Sequence, residues 1–401
     1  MKIIFLANLF PDKIKKEIEL NSIGSVQYAA NAFQWNFVRG LDQNNDCAIK
    51  IINAPLVGSY PFSYKKLSIK KHLFAHAQNA TDTSVAFLNF AIIKHYFVRK
   101  ALVRELIKNV EHNQSESQTI VVYGMLPPWV LAAIKIKEKY PIIKLCLIVP
   151  DLPEYMSDPK RIFYKIREYF IPNLYSYISK FDSFVFMTDA MAEHFKITDK
   201  KWVTIEGMVD PNEINIQSTL QTLNKKIVMY AGTLSQRFGI VDLLDAFQQI
   251  EDPHYELWIC GSGDGLKEIV SKSLLDIRIK VLGLLPREQV LELQKKATVL
   301  VNPRNSKGEY TKYSFPSKTM EYLLSGTPCI MKPLPGIPDE YYQYLFLVDN
   351  DSIVSLRNKI IEVCSFSEEK LEVIGKSAQK FVLEKKNYTF QTKKMIDMFK
   401  K

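Results

Sequence analysis

Cysteine is scarce in this sequence of 401 residues, and its spacing is irregular. There are five cysteines, no two of them form a C-x-x-C pair, and they occupy positions 47, 146, 260, 329 and 364. An odd number of widely separated cysteines argues against a disulfide framework or a structural zinc site, and for a reducing compartment. Cys146 and Cys260 lie inside apolar runs, so we expect them to be small core residues.

Long uninterrupted apolar segments are also missing. No run approaches the roughly 18 residues that a membrane-spanning helix needs. The apolar stretch over residues 3–9 is short and has no small-residue cleavage site, so it predicts a buried strand and not a signal peptide. These two features together predict a cytoplasmic protein.

Residue sets for metal binding or hydrolysis by a serine nucleophile are missing too. The six histidines form no close group, no His, Cys, Asp and Glu set has zinc spacing, and no G-x-S-x-G is present. The formal charge is +10, with 53 basic and 43 acidic residues, which favours an anionic partner. No helix-turn-helix or RNA-binding signature accompanies this charge, so we do not expect nucleic acid as the partner.

Apolar segments that alternate with helical patterns form two successive series. The first predicts strands near 3–9, 49–54, 119–123, 142–149 and 184–187, with helices over 26–41, 86–110, 128–139, 158–178 and 189–195. The second begins at residue 227 and alternates in the same way. Continuous apolar strands between helices are typical of parallel sheets covered on both faces. We therefore predict an α/β protein with doubly wound, Rossmann-like domains at 1–205 and 227–366, a linker at 206–226 and helices over 367–401.

Three unusual segments follow strands of the second series, where open α/β sheets bind ligands. They are GTLSQRFG at 232–239, GSGDG at 261–265 and, beyond Arg304, YSFPSKTMEY at 313–322. Glycine lets the backbone approach a phosphate, and a helix N-terminus offers free N–H groups to an anion. Ser317 is predicted to cap such a helix, with Glu321 one turn inside it, where a carboxylate can accept hydrogen bonds from ribose hydroxyls. Arg237 and Lys318 are the cationic candidates for a diphosphate.

These segments resemble a known family. FPSKTMEYLLSGTPCI at 315–330 resembles the donor-binding motif of retaining glycosyltransferases of family 4, which have the two-domain GT-B fold. YAGTLSQRFGIVDLLDAF at 230–247 and LWICGSGDG at 257–265 are similar to the two flanking segments of that family. VPDLPEYM at 149–156 is similar to enzymes of capsular and O-antigen polysaccharide synthesis in the same family. The likeness is most specific over residues 227–345.

The resemblance implies a fold and a set of site residues. The two domains would face a central cleft, and the C-terminal helix would pack back on the N-terminal domain. Glu321 would be the second glutamate of the E-x7-E motif and hold the ribose, while the backbone of 314–317 would meet the diphosphate. Position 313, where the family has its first glutamate, holds Tyr313, and the family lysine would fall at Phe238, beside Arg237. The predicted donor site comprises Gly24, Gly232, Thr233, Arg237, Gly261, Gly263, Arg304, Tyr313, Ser314, Phe315, Pro316, Ser317, Lys318 and Glu321.

The implied chemistry is sugar transfer with retention, in which orientation and stabilisation of the leaving phosphate do most of the work. Arg237 would take part in catalysis. Asp151, just after a predicted strand, would orient the acceptor hydroxyl; a turn cap before Pro153 is the alternative. Asp349-Asn350-Asp351 resembles the D-x-D metal motif of the other major glycosyltransferase fold, but we interpret it as a polar turn. We therefore expect no metal and no cofactor beyond the nucleotide-sugar substrate, for which family frequency favours UDP.

The predicted function is transfer of a hexose or N-acetylhexosamine to a saccharide or lipid-linked acceptor in cell-surface polysaccharide synthesis. Two alternatives stay open: a nucleotide-sugar 2-epimerase of the same fold, and a non-catalytic nucleotide-sugar-binding subunit, which Tyr313 favours. The basic, aromatic stretch 59–74 and one helix face predict peripheral contact with the inner membrane surface; the alternative is a solvated face. That face carries Lys94, Arg99, Lys100, Arg104 and Lys108.

Overall fold

The chain folds into two compact units. The computed structural model describes residues 1–24, 26–44, 47–111, 118–155, 174–215 and 225–401. The first unit combines Met1–Met208 with Tyr388–Lys401, and the second is Val209–Asn387. Most of the helix predicted over 158–178, and residues 216–224 of the predicted linker, lie outside the described residues.

The first unit contains a sheet of eight strands among the described residues, in the order β10-β9-β8-β7-β1-β2-β5-β4. All neighbouring pairs are parallel except β4 with β5. The central strands are continuous apolar runs because helices cover both faces of a parallel sheet. The strands are β1 (Lys2–Ala7), β2 (Ala48–Asn53), β4 (His72–Phe74), β5 (Asp82–Ser84), β7 (Gln118–Tyr123), β8 (Lys144–Val149), β9 (Ser183–Phe186) and β10 (Lys201–Thr204), with β3 (Ser68–Ile69) and β6 (Phe87–Leu88) forming a separate antiparallel pair.

Helices of the first unit follow the strands. They are α1 (Asp12–Asn21), α2 (Tyr28–Gln43), α3 (Lys94–Glu111), α4 (Pro127–Lys139), α5 (Asp189–His194) and, from the end of the sequence, α12 (Tyr388–Lys400). A core of buried residues joins β1, β7 and β8 to α2 and α12, and Cys146 lies within it as predicted. Among the described helices of the chain, none has the length and apolar character needed to cross a bilayer.

The second unit contains a fully parallel sheet of six strands among the described residues, in the order β13-β12-β11-β14-β15-β16. The strands are β11 (Lys226–Thr233), β12 (Tyr255–Ser262), β13 (Ile279–Gly283), β14 (Val299–Asn302), β15 (Cys329–Met331) and β16 (Phe346–Leu347). The helices are α6 (Ile240–Gln248), α7 (Leu266–Leu275), α8 (Arg287–Lys296), α9 (Ser317–Ser325), α10 (Ile353–Cys364) and α11 (Glu368–Lys385). One apolar cluster packs on each side of the sheet, and Cys260 is buried in one of them. The α/β prediction with Rossmann-like units is confirmed.

The C-terminal segment is divided between the units. Helix α11 packs in the second unit, where a Cβ atom on Gly375 would lie 1.7 Å from the carbonyl oxygen of Gly326. Helix α12 belongs to the first unit and crosses α2 so closely that a Cβ atom on Gly40 would lie 2.3 Å from the carbonyl oxygen of Tyr388. The C-terminal helix therefore packs on the N-terminal unit, as the resemblance implies.

Two local predictions in the first unit are wrong. The first helix is expected over 26–41, but residues 12–21 already form helix α1, which buries Ile14 and Ile18 one turn apart. The helix expected over 86–110 begins only at Lys94, because Phe87 and Leu88 pair with β3 as an antiparallel strand. Phe87 and Leu88 thus belong to a strand. Periodicity alone does not distinguish such a short apolar run from part of a helix.

Candidate functional site

The loops after β11 and β12 touch each other through their backbones at the carboxyl edge of the second sheet. Leu234 N–H donates to the Ser262 carbonyl over 3.0 Å, and Gly265 N–H donates to the Leu234 carbonyl over 2.8 Å. Gly261 has φ +138°, and a Cβ atom on it would lie 1.8 Å from the Gly232 carbonyl oxygen. Glycine is therefore required here for close approach between the paired ends of β11 and β12, as well as for any approach to a ligand.

Helix α9 presents its N-terminus at the same edge. It begins at Ser317, and its N-cap residue is Pro316, without a side-chain capping bond. The prediction that Ser317 is the N-cap is therefore wrong by one residue. Thr319 N–H donates to the Pro316 carbonyl over 2.8 Å. The N–H groups of Ser317 and Lys318, at the first two positions of the helix, have no acceptor within it and are available to an anion. A Cβ atom on Gly232 would lie 3.4 Å from Cε of Lys318, which brings the β11 loop beside this helix start.

Glu321, one turn into α9, is the centre of a charged cluster. Its Oε1 accepts from Lys318 Nζ over 2.9 Å and from Gln294 Nε2 over 2.7 Å, and its Oε2 accepts from Arg287 Nη1 over 2.9 Å. Arg287 also holds Glu213, with Nη2 2.8 Å from Oε2. Only 10% of the Glu321 side chain is exposed, so its direction is tightly fixed.

Burial and charge act in opposite directions on Glu321. Burial raises the pKa of this carboxyl. The positive charges of Lys318 and Arg287 and the hydrogen bonds from Gln294 and Lys318 together lower the pKa by more than burial raises it, so the net shift is downward. Glu321 is therefore an ionised acceptor at neutral pH. Each carboxylate oxygen has two acceptor positions, so Oε2, with one protein donor, can still accept from a ligand hydroxyl.

A second cluster beside α9 stacks two arginines on one tyrosine. The Arg237 guanidinium lies 3.8 Å and that of Arg304 4.8 Å from the centre of the Tyr310 ring. Arg304 Nη2 also donates to Ser314 Oγ over 2.8 Å, and its guanidinium lies 5.5 Å from the Phe238 ring centre. Stacking fixes the direction of both guanidinium groups. Two cations are thus held close to the segment that leads into α9.

The remaining predicted residues of this unit have different surroundings. Phe315 packs its ring 5.2 Å from that of Tyr341 and so contributes to the core side of the segment. Tyr313 is half-buried and follows the short helical turn Glu309–Lys312. Thr233 and Gly263 are exposed at the sheet edge, and Thr233 accepts a bond from Tyr230 Oη through its carbonyl. Their roles in donor binding stay predictions.

The Asp349-Asn350-Asp351 segment forms the polar turn expected from the sequence. Asn350 Oδ1 accepts from Ser352 N–H, and Ser352 caps α10 through its side chain. Asp351 lies 3.5 Å from Nζ of buried Lys332, which also lies 3.4 Å from Asp242. Within the described ranges no three His, Cys, Asp or Glu side chains form a metal-holding group.

Asp151 and Gly24 belong to the first unit. Asp151 is exposed just beyond β8, and its charge helps to raise the pKa of Tyr123, although burial is the larger cause. Gly24 has φ +102° and no atom within 4 Å of a would-be Cβ, so its conformation alone favours glycine. The roles expected for both residues stay predictions. Lys94 does not lie on an exposed basic face as expected, since it is buried and donates to the carbonyl oxygens of Val57 and Gly58.

Three residues of the site were missed from sequence. Arg287 and Gln294 lie two turns apart on one face of α8. This helix follows β13, and the segment between β13 and α8 is not one of the glycine-rich segments identified from the sequence. An arginine directly after a strand of the predicted sheet could have drawn attention to Arg287. Tyr310 has no comparable signal, because its partners Arg237 and Arg304 meet it only in the folded structure.

Comparisons with known proteins give a family match and a shared fold. Residues 211–381 match the family model of glycosyl transferases group 1. No curated protein matches the chain. Among solved structures, sucrose-phosphate synthase from Thermosynechococcus elongatus is similar with a TM-score of 0.66 and 14% identity, over 100% of this chain and 98% of that one.

Two further solved structures share the fold. Anabaena HepE in complex with UDP gives a TM-score of 0.64 at 14% identity, with 100% of both chains covered. The apo form of WaaB, a lipopolysaccharide outer core galactosyltransferase, gives 0.61 at 14% identity, over 100% of this chain and 99% of that one. The GT-B fold is therefore confirmed. The family match and the shared fold together support a glycosyltransferase enzyme, in agreement with the sequence.

Proposed function

We propose that this protein transfers a hexose or N-acetylhexosamine from a nucleotide-diphosphate sugar, with UDP the favoured nucleotide, and with retention at the sugar carbon. The observation that carries the proposal is the convergence of three features at one sheet edge. These are the uncapped start of α9, the Lys318 ammonium beside Gly232, and the ionised, fixed carboxylate of Glu321. Together they match the parts of a ribose joined to a diphosphate.

In this proposal, three groups of residues at the site bind different parts of the nucleotide-sugar donor. The N–H groups of Ser317 and Lys318 and the Lys318 ammonium receive the diphosphate, and Glu321 accepts from a ribose hydroxyl. Arg304 and Arg237, held on Tyr310, supply positive charge as the diphosphate leaves. Fixed cations and N–H dipoles stabilise a leaving phosphate without reorganising during the reaction. The leaving phosphate oxygen takes the proton of the attacking hydroxyl, so no metal or cofactor enters this proposal. Asp151 is the residue that we propose to orient the acceptor.

The proposed acceptor is a saccharide or a lipid-linked oligosaccharide of cell-surface polysaccharide synthesis, reached from the cytoplasmic side of a membrane. Support comes from the resemblance of residues 149–156 to capsular and O-antigen enzymes and from the net charge of +10. Two proteins of the same fold add support. HepE has been solved in complex with UDP, and also with UDP and glucose, and WaaB is described as a lipopolysaccharide galactosyltransferase.

Calorimetry with UDP-, GDP- and dTDP-sugars tests the donor proposal. We expect one class to bind, and Glu321→Ala to weaken that binding about 10- to 100-fold, because a charged hydrogen-bond acceptor is worth about 1.5–3 kcal/mol. Glu321→Gln, which keeps the shape and one acceptor oxygen, should lose less.

Glu213→Gln is the matched control for this experiment. Glu213 is the other carboxylate on Arg287, so its variant disturbs the same arginine without removing the proposed ribose contact. We expect donor affinity close to that of the parent. Equal affinity of the parent and Glu321→Ala for every sugar nucleotide would contradict the proposal.

A further inference from the structure

Three separate segments of the first unit are joined by backbone hydrogen bonds into one surface region. Ile23 N–H donates to the Ser63 carbonyl over 3.1 Å, and Lys65 N–H donates to the Asn21 carbonyl over 2.9 Å. The other side of the region is closed by Ala91 N–H, which donates to the Tyr60 carbonyl over 3.1 Å. Residues near 20–23, 60–67 and 90–96 are therefore neighbours although they are far apart in sequence.

This region exposes large apolar side chains, which we call the apolar surface. Among its most exposed members, Ile92 shows 84%, Leu20 74%, Phe62 67% and Tyr96 61% of its area to solvent. Exposed apolar residues are ordinary when scattered singly, but a contiguous group marks an interaction site. The apolar surface comprises Leu20, Ile23, Phe62, Leu67, Phe90, Ile92, Ile93 and Tyr96.

Lysines border the apolar surface. Residues 59–74 contain four lysines, and residues 95–104 contain three further lysines and arginines, without any acidic residue in either range. Two of the four lysines form ion pairs with carboxylates outside these ranges, Lys66 with Glu17 and Lys71 with Glu105. Lys65 and Lys70 are exposed, and Lys65 Nζ is held by the Leu20 carbonyl over 3.0 Å, directly at the apolar residues. The region thus combines apolar side chains with a local excess of positive charge.

From this combination we infer that the apolar surface enters the headgroup region of an anionic lipid bilayer. Aromatic and branched aliphatic side chains bury area in the interface while lysines contact lipid phosphates. A soluble protein partner would gain from the apolar area, but the charge pattern specifically complements an anionic surface. The inference deepens the proposed function, on which it rests for the idea of a lipid-linked acceptor, by naming the surface that contacts the membrane.

A second exposed apolar group in the chain provides a matched control. Leu274, Leu275 and Ile277 are 83%, 84% and 82% exposed, close to the 84% of Ile92, the most exposed residue of the apolar surface. The two basic residues closest to them in sequence form ion pairs, Lys272 with Asp245 and Arg278 with Asp276. Apolar exposure without free positive charge should not select anionic lipid.

Co-sedimentation with vesicles tests the inference, using the full chain. We expect binding to vesicles of equal parts phosphatidylglycerol and phosphatidylcholine, and much weaker binding to phosphatidylcholine alone. The triple variant Phe62→Ser, Ile92→Ser and Tyr96→Ser should bind the anionic vesicles at least about tenfold more weakly. Lys65→Glu with Lys70→Glu should lose roughly fivefold per residue, and added salt should weaken the parent.

The control triple Leu274→Ser, Leu275→Ser and Ile277→Ser should bind like the parent. Equal loss in both triple variants, or undiminished binding by the Phe62, Ile92 and Tyr96 triple, would overturn the inference. So would a change from dimer to monomer in that triple with vesicle binding intact, since the surface would then join two copies of the chain. Donor binding is measured by calorimetry without lipid, so failure of the proposed transferase function is seen separately.

Discussion

At the scale of single residues, the chain buries charge in two contrasting ways. Glu321 is buried among Lys318, Arg287 and Gln294, so opposite charges compensate the cost of burial. Lys94 instead gives its ammonium to backbone carbonyl oxygens of Val57 and Gly58, and burial lowers its pKa to about 8. Uncompensated burial of a charge disfavours the charged form, which makes Lys94 sensitive to pH.

Lys94 therefore leads to a prediction about stability. Between pH 8 and 10.5 the unfolded chain keeps the Lys94 proton, with its ordinary pKa of 10.5, while the folded chain has lost it. Because the unfolded state then binds more protons, stability rises with pH through this window. In urea unfolding, the free energy of unfolding of the parent should rise between pH 8 and 10.5 by up to about 3 kcal/mol more than that of Lys94→Met. The exposed control Lys70→Met should show no such gain, and a pH-independent difference for Lys94→Met would contradict the prediction.

At the scale of elements, the glycine-rich loops hold the site edge together. Gly261 combines φ +138° with a would-be Cβ only 1.8 Å from the Gly232 carbonyl oxygen. The paired ends of β11 and β12 therefore keep their spacing only while this position has no side chain. The shape of the donor edge thus depends on a contact between Gly232 and Gly261, which are partners in the register of β11 and β12.

Gly261→Ala should destabilise the second unit and weaken donor binding. The collision with a backbone oxygen and the unfavourable φ together cost at least about 2–3 kcal/mol. Thermal unfolding and UDP-sugar calorimetry measure the two effects. Gly283→Ala is the matched control, because Gly283 has φ +71° but no atom within 4 Å of its would-be Cβ. If both variants lose the same stability, φ alone explains the effect and the loop-packing argument fails.

The sequence predicts helices and strands well where a local residue pattern determines the element, and poorly where contact with a distant segment determines it. Strands such as β1 and β8 are continuous apolar runs, and α9 begins within one residue of the start that the predicted N-cap implied. The sequence pattern assigns Phe87 and Leu88 to a helix, because their pairing with β3 is a tertiary contact that local periodicity does not reveal. In the site, the motif located Lys318 and Glu321, whereas Arg287 reaches Glu321 across 34 positions and Glu213 across 74. Such distant side-chain contacts leave no periodic signal in a single sequence.

At the scale of the whole molecule, the first unit is made from two distant parts of the chain. Helix α12 lies on α2, with Thr392 Oγ1 2.6 Å and the Tyr388 carbonyl oxygen 2.3 Å from a would-be Cβ on Gly40. Asn44 Nδ2 donates to Thr392 Oγ1 over 3.1 Å and ties the same two helices together. The close crossing buries Met395 and Ile396 in the core of that unit.

Gly40→Ala should loosen α12 from the first unit. We expect faster amide hydrogen exchange over residues 388–400, since a methyl group at Gly40 forces the helices apart at a backbone contact. Arg39→Ala, an exposed neighbour on α2, should leave exchange in α12 unchanged. Unaltered protection of α12 in Gly40→Ala would show that the crossing tolerates the extra carbon.

The division of the first unit also sets an order for its assembly during synthesis. The ribosome completes residues 209–387, the entire second unit, before it makes the helix that covers α2. Until residues 388–400 leave the exit tunnel, the nascent first unit keeps an apolar groove beside Phe37 and Val38, where α12 later packs. The half that is translated first is therefore the half that matures last, and chaperones would meet it with this groove open.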